Sequence, residues 1–449
     1  MSMVDNKVFQ KHRHPLKTFS LGLQHVLAMY AGAVIVPLIV SSQLGFTQEQ
    51  TTYLVAIDLL MCGIATLLQV FTNRFFGIGM PVVLGCAFQA VMPMIAIGSE
   101  YDIPYIYGSI LAMGLFVILF GGWFGKMIRF FPPVVTGSVV TIIGITLIPV
   151  AFGNLGGGQG SPDFGSPDNL MLGFGVLILI VLLNKFSKGF MRAISVLIGL
   201  LIGTLAAALM GKVDIAPVLD ASWFHAVQPF YFGTPKFNPT AILTMIIVAM
   251  VGIAESTGVF MALSKIVDRD IDSKDLARGY RAEGLAIFIG GLFNAFPYTT
   301  FSQNVGLIQM SRVKTRDVIV VAGGLLMLLG FVPKIAALTL LIPDSVLGGA
   351  MVAMFGMVIS SGLRMIGSQV DLNRHENLFV IACSVGMGLG VTVAPGIFDS
   401  LPDTVRILTD NGIVAGTFTA LVMNLLFNGV KPETAEAKTQ ESDEETIVA

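Results

Sequence analysis

The feature that most constrains this sequence is a long series of apolar segments, separated by short loops that hold most of the basic residues. About 17–25 apolar residues suffice to cross a bilayer as a helix. Fourteen segments approach this pattern: 19–40, 52–71, 79–98, 104–124, 133–152, 170–184, 193–210, 240–264, 280–296, 299–311, 317–333, 342–362, 376–394 and 411–428. Only 12% of the 449 residues are charged, about half the share in soluble domains. The sequence therefore predicts an all-α polytopic membrane protein.

The distribution of basic residues tests the fourteen segments independently. If the N-terminus is cytoplasmic and the loops alternate, the cytoplasmic side holds all of the 26 Lys and Arg residues except Lys212, Lys236, Lys334 and Arg406. Cytoplasmic loops are normally rich in Lys and Arg. If one segment did not cross the membrane, every later loop would lie on the opposite side and the charge pattern would be lost. We therefore expect fourteen spans in the cytoplasmic (plasma) membrane, with both termini in the cytoplasm.

A weak internal repeat relates the fifth and twelfth segments. PPVVTGSVV at 132–140 and PDSVLGGAM at 343–351 share a proline, a valine and a glycine at matching positions. An odd number of segments separates the copies, so the two halves are predicted to have opposite orientations. Inverted repeats of this kind are common in transporters.

The same repeat pairs the third segment with the tenth, and both are poor helices. The third reads GIGMPVVLGCAFQAVMP from Gly77, and the tenth reads NAFPYTTFSQNVG from Asn294. Irregular backbone at membrane depth occurs only where it lines a cavity or packs against protein. We expect VVLG and TTFS to pair as short β-strands, followed by half-helices whose free N–H groups point at a ligand.

Four ionisable side chains lie within apolar segments, where such groups are functional candidates. Glu255 is central in the eighth segment and is the strongest candidate. His25 is a candidate ligand, a proton relay or a packing residue that orients a neighbour. Glu283 either has a functional role or pairs with the nearby Arg281. Asp58 follows a predicted outside loop closely, which favours a structural or interfacial role.

The sequence contains no recognisable enzymatic motif. It has no metal-ligand spacing, no Walker-type phosphate loop and no nucleophile–base pattern. We therefore predict a protein that is not an enzyme, holds no metal and binds no nucleic acid. Its partners are the lipid bilayer and a small molecule, and its expected activity is ion-coupled secondary transport.

Three motifs resemble those of the nucleobase–ascorbate transporter (nucleobase:cation symporter) family. QNVGLIQMSR from Gln303 is similar to the family signature Gln/Glu-Asn-x-Gly-x-x-x-x-Thr-Arg/Lys, although Ser311 replaces the usual Thr. Gln24-His25 resembles the Gln-His pair of the first span, and AESTG from Ala254 resembles the eighth-span motif. The resemblance covers residues 15 to 430 approximately and is greatest to bacterial xanthine and uric acid permeases.

The resemblance implies an organisation of fourteen spans into two inverted repeats of seven, with a core domain and a moving gate domain. The implied divisions are a cytoplasmic N-terminal segment (1–18), core domain (19–130 and 240–335), gate domain (131–239 and 336–430) and a disordered cytoplasmic tail (431–449). The acidic composition of the tail also favours disorder. A homodimer is compatible with the resemblance, although the sequence shows no interface.

The resemblance also assigns roles to individual residues. The substrate-binding residues would be Glu255, Gln303, Phe88 and Gln89. Site architecture or proton coupling would involve His25, Gln24, Glu283, Asn304, Gly306 and Thr257. Glu255 and Gln303 would hydrogen-bond a base and Phe88 would stack on it. Asn304 would hold the geometry of the site, and Gly306 would allow close helix packing.

The implied function is proton-coupled import of an oxidised purine, xanthine and/or uric acid, by alternating access. No cofactor is expected apart from the co-transported proton. Gln303 resembles the xanthine and uric acid branch, whereas uracil carriers tend to have Glu there. The alternatives are a uracil or pyrimidine permease, an anion exchanger of the same inverted-repeat architecture and, less in keeping with broken spans, a channel.

Overall fold

The computed structural model describes residues 15–127, 131–224, 227–394, 396–402, 406 and 409–429. The predicted cytoplasmic N-terminal segment up to residue 14 and the predicted disordered tail lie outside the described residues. The helices in chain order are α1 (Pro15–Gln43), α2 (Gln48–Val70), α3 (Val91–Glu100), α4 (Ile103–Met127), α5 (Pro133–Leu155), α6 (Pro167–Phe186), α7 (Phe190–Ala193), α8 (Ser195–Leu209), α9 (Ala216–Asp220), α10 (Pro239–Val267), α11 (Ser273–Leu292), α12 (Ser302–Ser311), α13 (Arg316–Gly330), α14 (Pro333–Ala337), α15 (Asp344–Gln369), α16 (His375–Val393) and α17 (Gly412–Phe427). Two strands, β1 (Leu84–Cys86) and β2 (Tyr298–Thr300), interrupt this helical order.

Polar capping residues set several helix starts. Thr47 forms a capping box with Gln50 at the start of α2, and Asp272 forms one with Asp275 at the start of α11. Each side chain accepts a hydrogen bond from a backbone N–H that the helix itself cannot pair. The hydropathy pattern predicts a segment that starts at residue 280. The capping box at Asp272 explains why α11 begins earlier, at Ser273.

Eight of the described helices are long and apolar enough to cross a membrane: α1, α2, α4, α5, α6, α10, α15 and α16. A ninth such element is the pair of helices at 316–330 and 333–341, which are bent by 83° relative to each other. Pro333 lies at this bend, and proline has no N–H with which to continue a helix. The other five predicted segments contain shorter or more polar helices, namely α3, α8, α11, α12 and α17.

The third and tenth segments are broken as predicted, and their strands pair. β1 and β2 are antiparallel, with Leu84 opposite Thr300 and Cys86 opposite Tyr298. The hydroxyl of Thr66 on α2 accepts a hydrogen bond from the Leu84 amide at 3.0 Å, so the outer edge of β1 is also paired. Each strand leads into a short helical segment that begins within two residues of its end. The predicted pairing of VVLG with TTFS is confirmed.

In the rest of the molecule, neighbouring helices pack closely against each other at glycines. α5 packs along α15, α4 along α11, α2 along α13 and α16 along α17. A Cβ atom built on Gly137 of α5 would lie 2.7 Å from Ile366 Cγ1 of α15, and one on Gly348 of α15 would lie 2.0 Å from the Leu155 nitrogen of α5. Small residues allow helices in membranes to approach this closely. The start of α5 thus packs against the end of α15, and the start of α15 packs against the end of α5.

Candidate functional site

A cavity lies where the two broken segments meet α5, α10 and α15. The broken segments and α10 contribute most of its polar lining, together with two phenylalanines: Phe88, Gln89, Glu255, Thr299, Thr300, Phe301, Ser302 and Gln303. α5 and α15 contribute four apolar residues and one serine: Val140, Ile143, Met357, Val358 and Ser361. The cavity therefore combines many hydrogen-bonding groups with apolar surface.

Two helix starts face this cavity, and neither has a capping side chain. α12 begins directly after Phe301, which makes no side-chain cap. The single 3₁₀ turn at Phe88–Ala90 likewise follows Ala87 without a side-chain cap. Backbone N–H groups at a helix start carry partial positive charge and remain available to a ligand. The breaks in these two segments therefore leave backbone N–H donors available, whereas a continuous helix would have used them in its own hydrogen bonds.

Glu255 supplies the carboxyl group of the cavity. It lies on α10, half-buried, and lines the cavity together with the buried side-chain amide of Gln89. Gly252, one turn earlier on α10, makes room for that amide, because a Cβ built there would lie 3.0 Å from Gln89 Nε2. A carboxylate accepts hydrogen bonds, whereas an amide both donates and accepts. The pair can therefore bind a group with adjacent donors and acceptors.

Three phenylalanine rings form the aromatic part of the site. The Phe88 ring lies 6.2 Å from that of Phe301 and 5.8 Å from that of Phe355, the latter edge-on. Phe301 is held between Gly32 and Gly85, since a Cβ on either would lie within 2.6 Å of its ring. Aromatic rings in such clusters have defined orientations and offer a flat apolar face.

Gln303 lies at the second position of α12 and is exposed. The Ser302 hydroxyl donates to its Oε1 across 3.5 Å. Gly306, one turn later, is also exposed, and a Cβ built there would meet nothing within 4 Å. Among the described residues no other helix packs at this position of α12, so close packing at Gly306 stays a prediction.

His25 and Asn304 are buried and contact each other rather than the cavity. Asn304 Nδ2 lies 3.1 Å from His25 Nδ1 and donates to the His25 carbonyl oxygen at the same distance. This contact fixes α12 to α1 directly behind Gln303. Gln24 is half-buried beside His25 and does not line the cavity. Of the three roles considered for His25, the contact with Asn304 favours orienting a neighbour.

Thr257 and Glu283 lie behind the cavity, between α10 and α11. The Thr257 hydroxyl donates to the Ile253 carbonyl at 2.7 Å and lies 2.5 Å from the Tyr280 hydroxyl. Glu283 is buried, and among the described residues it forms no ion pair with Arg281, the alternative considered from the sequence. The contact between Thr257 and Tyr280 holds the two helices together beside Glu255.

Asp58 on α2 has the structural role that its position favours. It is fully buried, and its Oδ1 accepts hydrogen bonds from the Phe296 amide at 2.8 Å and the Tyr298 hydroxyl at 3.2 Å. The carboxyl group therefore fixes the chain as it enters β2. Buried carboxyl groups in a membrane protein normally have such polar partners.

Two sets of site residues were not predicted from the sequence. The apolar lining from α5 and α15 has no local signal, because Val140 or Met357 looks like any other helix residue in an apolar segment. Ser256 could have been found, since it lies within AESTG directly after Glu255. Its contacts across to β2 depend on a strand position that hydropathy does not specify.

A second, larger cavity lies apart from this site. It is bordered by the start of α2, by α9 and by the chain near Tyr231 and Pro333. Tyr53 and Tyr231 stack beside it with ring centroids 3.9 Å apart. None of the predicted substrate residues lines it, so it carries none of the chemistry described above.

Comparison with known proteins gives strong matches over most of the chain. A model of a permease family, Xan_ur_permease, matches residues 16–397. The chain is 68% identical over 411 residues to the nucleobase transporter PlUacP of Paenibacillus larvae, covering 92% of this chain and 94% of that protein. It is 61% identical over 412 residues to the xanthine permease of Bacillus subtilis, with the same coverage of both chains. It is 57% identical over 430 residues to the uric acid permease PucK of Bacillus subtilis, covering 96% and 100%.

Among solved structures, the chain resembles two membrane transporters at low sequence identity. The transmembrane domain of the cyanobacterial bicarbonate transporter BicA matches with a TM-score of 0.62 at 15% identity, covering 93% of this chain and all of that chain. A murine Solute Carrier 26 family anion transporter matches with a TM-score of 0.61 at 12% identity, covering 94% and 70%. These likenesses concern the fold alone.

Proposed function

From the premise that this chain belongs to the Xan_ur_permease family of membrane permeases and is a transporter rather than an enzyme, we propose that it imports xanthine or uric acid together with protons. Relatives that are named as xanthine or uric acid permeases are 55–61% identical to this chain. The observation that carries the proposal is the Glu255–Gln89 pair facing a cavity beside Phe88.

The chemistry of the cavity suits an oxidised purine. Such a base is flat and presents ring N–H donors next to carbonyl acceptors. The Glu255 carboxyl accepts from N–H groups, and the amides of Gln89 and Gln303 donate to carbonyl oxygens and accept from further N–H groups. Phe88 provides an aromatic face for the ring. Gln89 could reach the imidazole side of the purine, where uric acid has its additional carbonyl.

The proposed transport mechanism is alternating access between a core and a gate domain. Most of the polar lining of the cavity comes from the proposed core (19–130 and 240–335), and the proposed gate (131–239 and 336–430) contributes four apolar residues and Ser361. Movement of α5 and α15 away from β1 and β2 would open the cavity to one side of the membrane. Sites between two such bundles are typical of secondary transporters.

The fourteen-span inverted repeat is part of this proposal. Supporting it, the matched prolines Pro132 and Pro343 both precede the first residue of a helix, with φ of −62° and −64°. The matched glycines Gly137 and Gly348 both lie at the α5–α15 crossing. Cytoplasmic termini and a homodimer remain predictions, the former from the basic residues and the latter from the family resemblance.

Proton coupling is proposed from the two carboxyl groups beside the cavity. Glu255 and Glu283 lie close enough to interact electrostatically, and neither forms an ion pair within the part of the chain that the structure describes. Buried acids in transporters commonly act as proton carriers. Binding a proton at this pair would remove a charge that is expensive to move across the membrane.

Uptake of radiolabelled xanthine by cells that lack their own purine permeases tests the proposal. Saturable uptake that collapses with a protonophore is expected, with competition by unlabelled xanthine and uric acid and little competition by uracil. Competition by uracil alone would instead indicate a pyrimidine carrier. Uptake driven by a counter-anion without a proton gradient would indicate an anion exchanger, which the carboxyl group in the cavity disfavours.

A further inference from the structure

An arginine without a partner lies in a groove between α4 and α11. Arg281 is half-buried on α11, and its side chain forms no hydrogen bond or ion pair with the residues that the structure describes. A Cβ built on Gly121 of α4 would lie 3.2 Å from Arg281 Cγ, and one built on Gly122 would lie 2.6 Å from Arg281 Nη2. These two glycines therefore allow the guanidinium to lie directly across α4.

The acids nearest to Arg281 along α11 do not neutralise its charge. Glu283 follows it by two residues, a spacing that places the two side chains on different faces of a helix. Asp275, closer to the start of α11, pairs with Arg278 and lies 3.6 Å from Arg269. A guanidinium is always charged and has five N–H donors. The charge of Arg281 is therefore available to an anion from outside the chain.

Trp123 indicates that this groove lies at the level of the lipid headgroups. It directly follows Gly122 on α4, and its side chain is 53% exposed. The chain has only two tryptophans, and the other, Trp223, is exposed in a loop predicted to lie on the opposite side of the membrane. Tryptophans are enriched at both membrane–water interfaces. With the topology predicted from the basic residues, the groove faces the cytoplasmic leaflet.

An apolar stripe on α4 leads from the groove toward the middle of the membrane. Leu115, Leu119 and Phe120 are exposed, and the Phe120 ring lies 6.4 Å from that of Trp123. Residues three and four apart are neighbours on a helix surface, so these side chains form one continuous strip. The same surface thus combines a cation at headgroup depth with an apolar strip long enough to contact an acyl chain.

We propose that Arg281, Gly122 and Trp123 form a binding site for the phosphate of an anionic phospholipid, whose acyl chains lie along Leu115 and Leu119. A guanidinium binds two phosphate oxygens at once, and the indole N–H can donate to a further headgroup oxygen. Basic pockets between helices on the cytoplasmic side of membrane proteins suit such headgroups. A zwitterionic lipid competes poorly, because its own ammonium group also attracts the phosphate.

Tryptophan fluorescence measures the lipid preference next to the groove. Trp223→Phe leaves Trp123 as the only tryptophan. The purified protein is reconstituted into phosphatidylcholine vesicles that contain a minor fraction of phosphatidylglycerol, with brominated acyl chains on one lipid or the other. Quenching gives the binding constant of phosphatidylglycerol relative to phosphatidylcholine beside Trp123. We expect a ratio of about five or more, the factor expected for one basic residue facing an anionic lipid.

Matched variants in the same background separate the groove from a general attraction of anionic lipid. Arg281→Gln is expected to lower the ratio to about one. Arg192→Gln removes an exposed arginine of α7 and is expected to leave the ratio unchanged. If Arg281→Gln cannot be purified folded, Gly122→Ala displaces the guanidinium from α4 and is expected to lower the ratio by about half or more.

Several outcomes would overturn the lipid site. These are a ratio near one before any change at Arg281, an equal ratio after Arg281→Gln or its substitute Gly122→Ala, and an equal loss after Arg192→Gln. Glycerol phosphate on both sides of the vesicle, at the total concentration of the anionic lipid, is expected to leave the ratio intact because it lacks acyl chains. If it abolishes the preference, the groove recognises free phosphate instead. The measurement uses no purine, so its result is independent of the proposed substrate.

Discussion

The side-chain amide of Asn304 bridges two atoms of His25, with Nδ2 3.1 Å from both the ring Nδ1 and the backbone carbonyl oxygen. Both residues are buried. Because Nδ2 can only donate, the ring nitrogen accepts and the imidazole carries its hydrogen on Nε2. A contact between residues 279 positions apart thereby locks the start of a half-helix to the first long helix.

Breaking this contact is expected to weaken substrate binding without removing any group from the cavity. Asn304→Ala should reduce the affinity for xanthine about tenfold or more, because loss of a buried hydrogen-bond partner costs roughly 1–3 kcal/mol. Binding to Asn304→Ala, His25→Ala and the double variant gives their interaction energy. His25→Ala removes the ring contact and keeps the backbone contact with Asn304. If the two single variants have strictly additive effects in the double variant, the ring contact contributes nothing.

A second prediction concerns Asp58. Asp58→Ala leaves the Phe296 amide and the Tyr298 hydroxyl without their acceptor, and it should lower the free energy of unfolding by about 2–4 kcal/mol. Asp58→Asn keeps an oxygen at that position and should cost less than half as much. Unfolding of the detergent-solubilised protein by heat or denaturant, at matched detergent concentration, gives the comparison. Equal losses for the two variants would contradict the acceptor role.

The sequence predicted most of the chain organisation because hydropathy and charge are local signals. It located the third segment through its glycines and prolines, such as Pro81, and the tenth through Pro297 and the polar run after it, and it predicted that their strands pair. It could not identify Val140 or Met357 as part of the site, since an apolar residue that faces a cavity and one that faces lipid look alike. The open space at Gly306 was not predicted for a similar reason: a glycine indicates conformational freedom, but not whether another helix lies beside it.

That contrast between glycines gives a third prediction. Gly348→Ala should destabilise the protein by about 1–3 kcal/mol or more, because its Cβ would lie 2.0 Å from the Leu155 nitrogen and the helices must separate. Gly306→Ala is the matched control within a helix. Its Cβ meets nothing within 4 Å, so it should leave stability unchanged or raise it by about 0.5–1 kcal/mol. Thermal unfolding followed by size-exclusion chromatography measures both. A Gly348→Ala protein as stable as wild type would show that α5 and α15 do not pack this closely.

The last prediction concerns the two side chains proposed to hold the base. Glu255→Gln should reduce xanthine uptake by about ten- to a hundredfold, because the amide replaces one acceptor with a donor and a carboxylate hydrogen bond is worth roughly 1.5–3 kcal/mol. Gln303→Ala removes one neutral contact and should reduce affinity about tenfold. Glu376→Gln, at a half-buried acid at the start of α16 that does not line the cavity, is the control for the charge change and should transport as wild type. Uptake is normalised to the amount of each variant in the membrane, so that a loss of protein is not read as a loss of transport. Full uptake by Glu255→Gln would show that the carboxyl group is not needed to bind the base. The base would then be held by amides and backbone N–H groups.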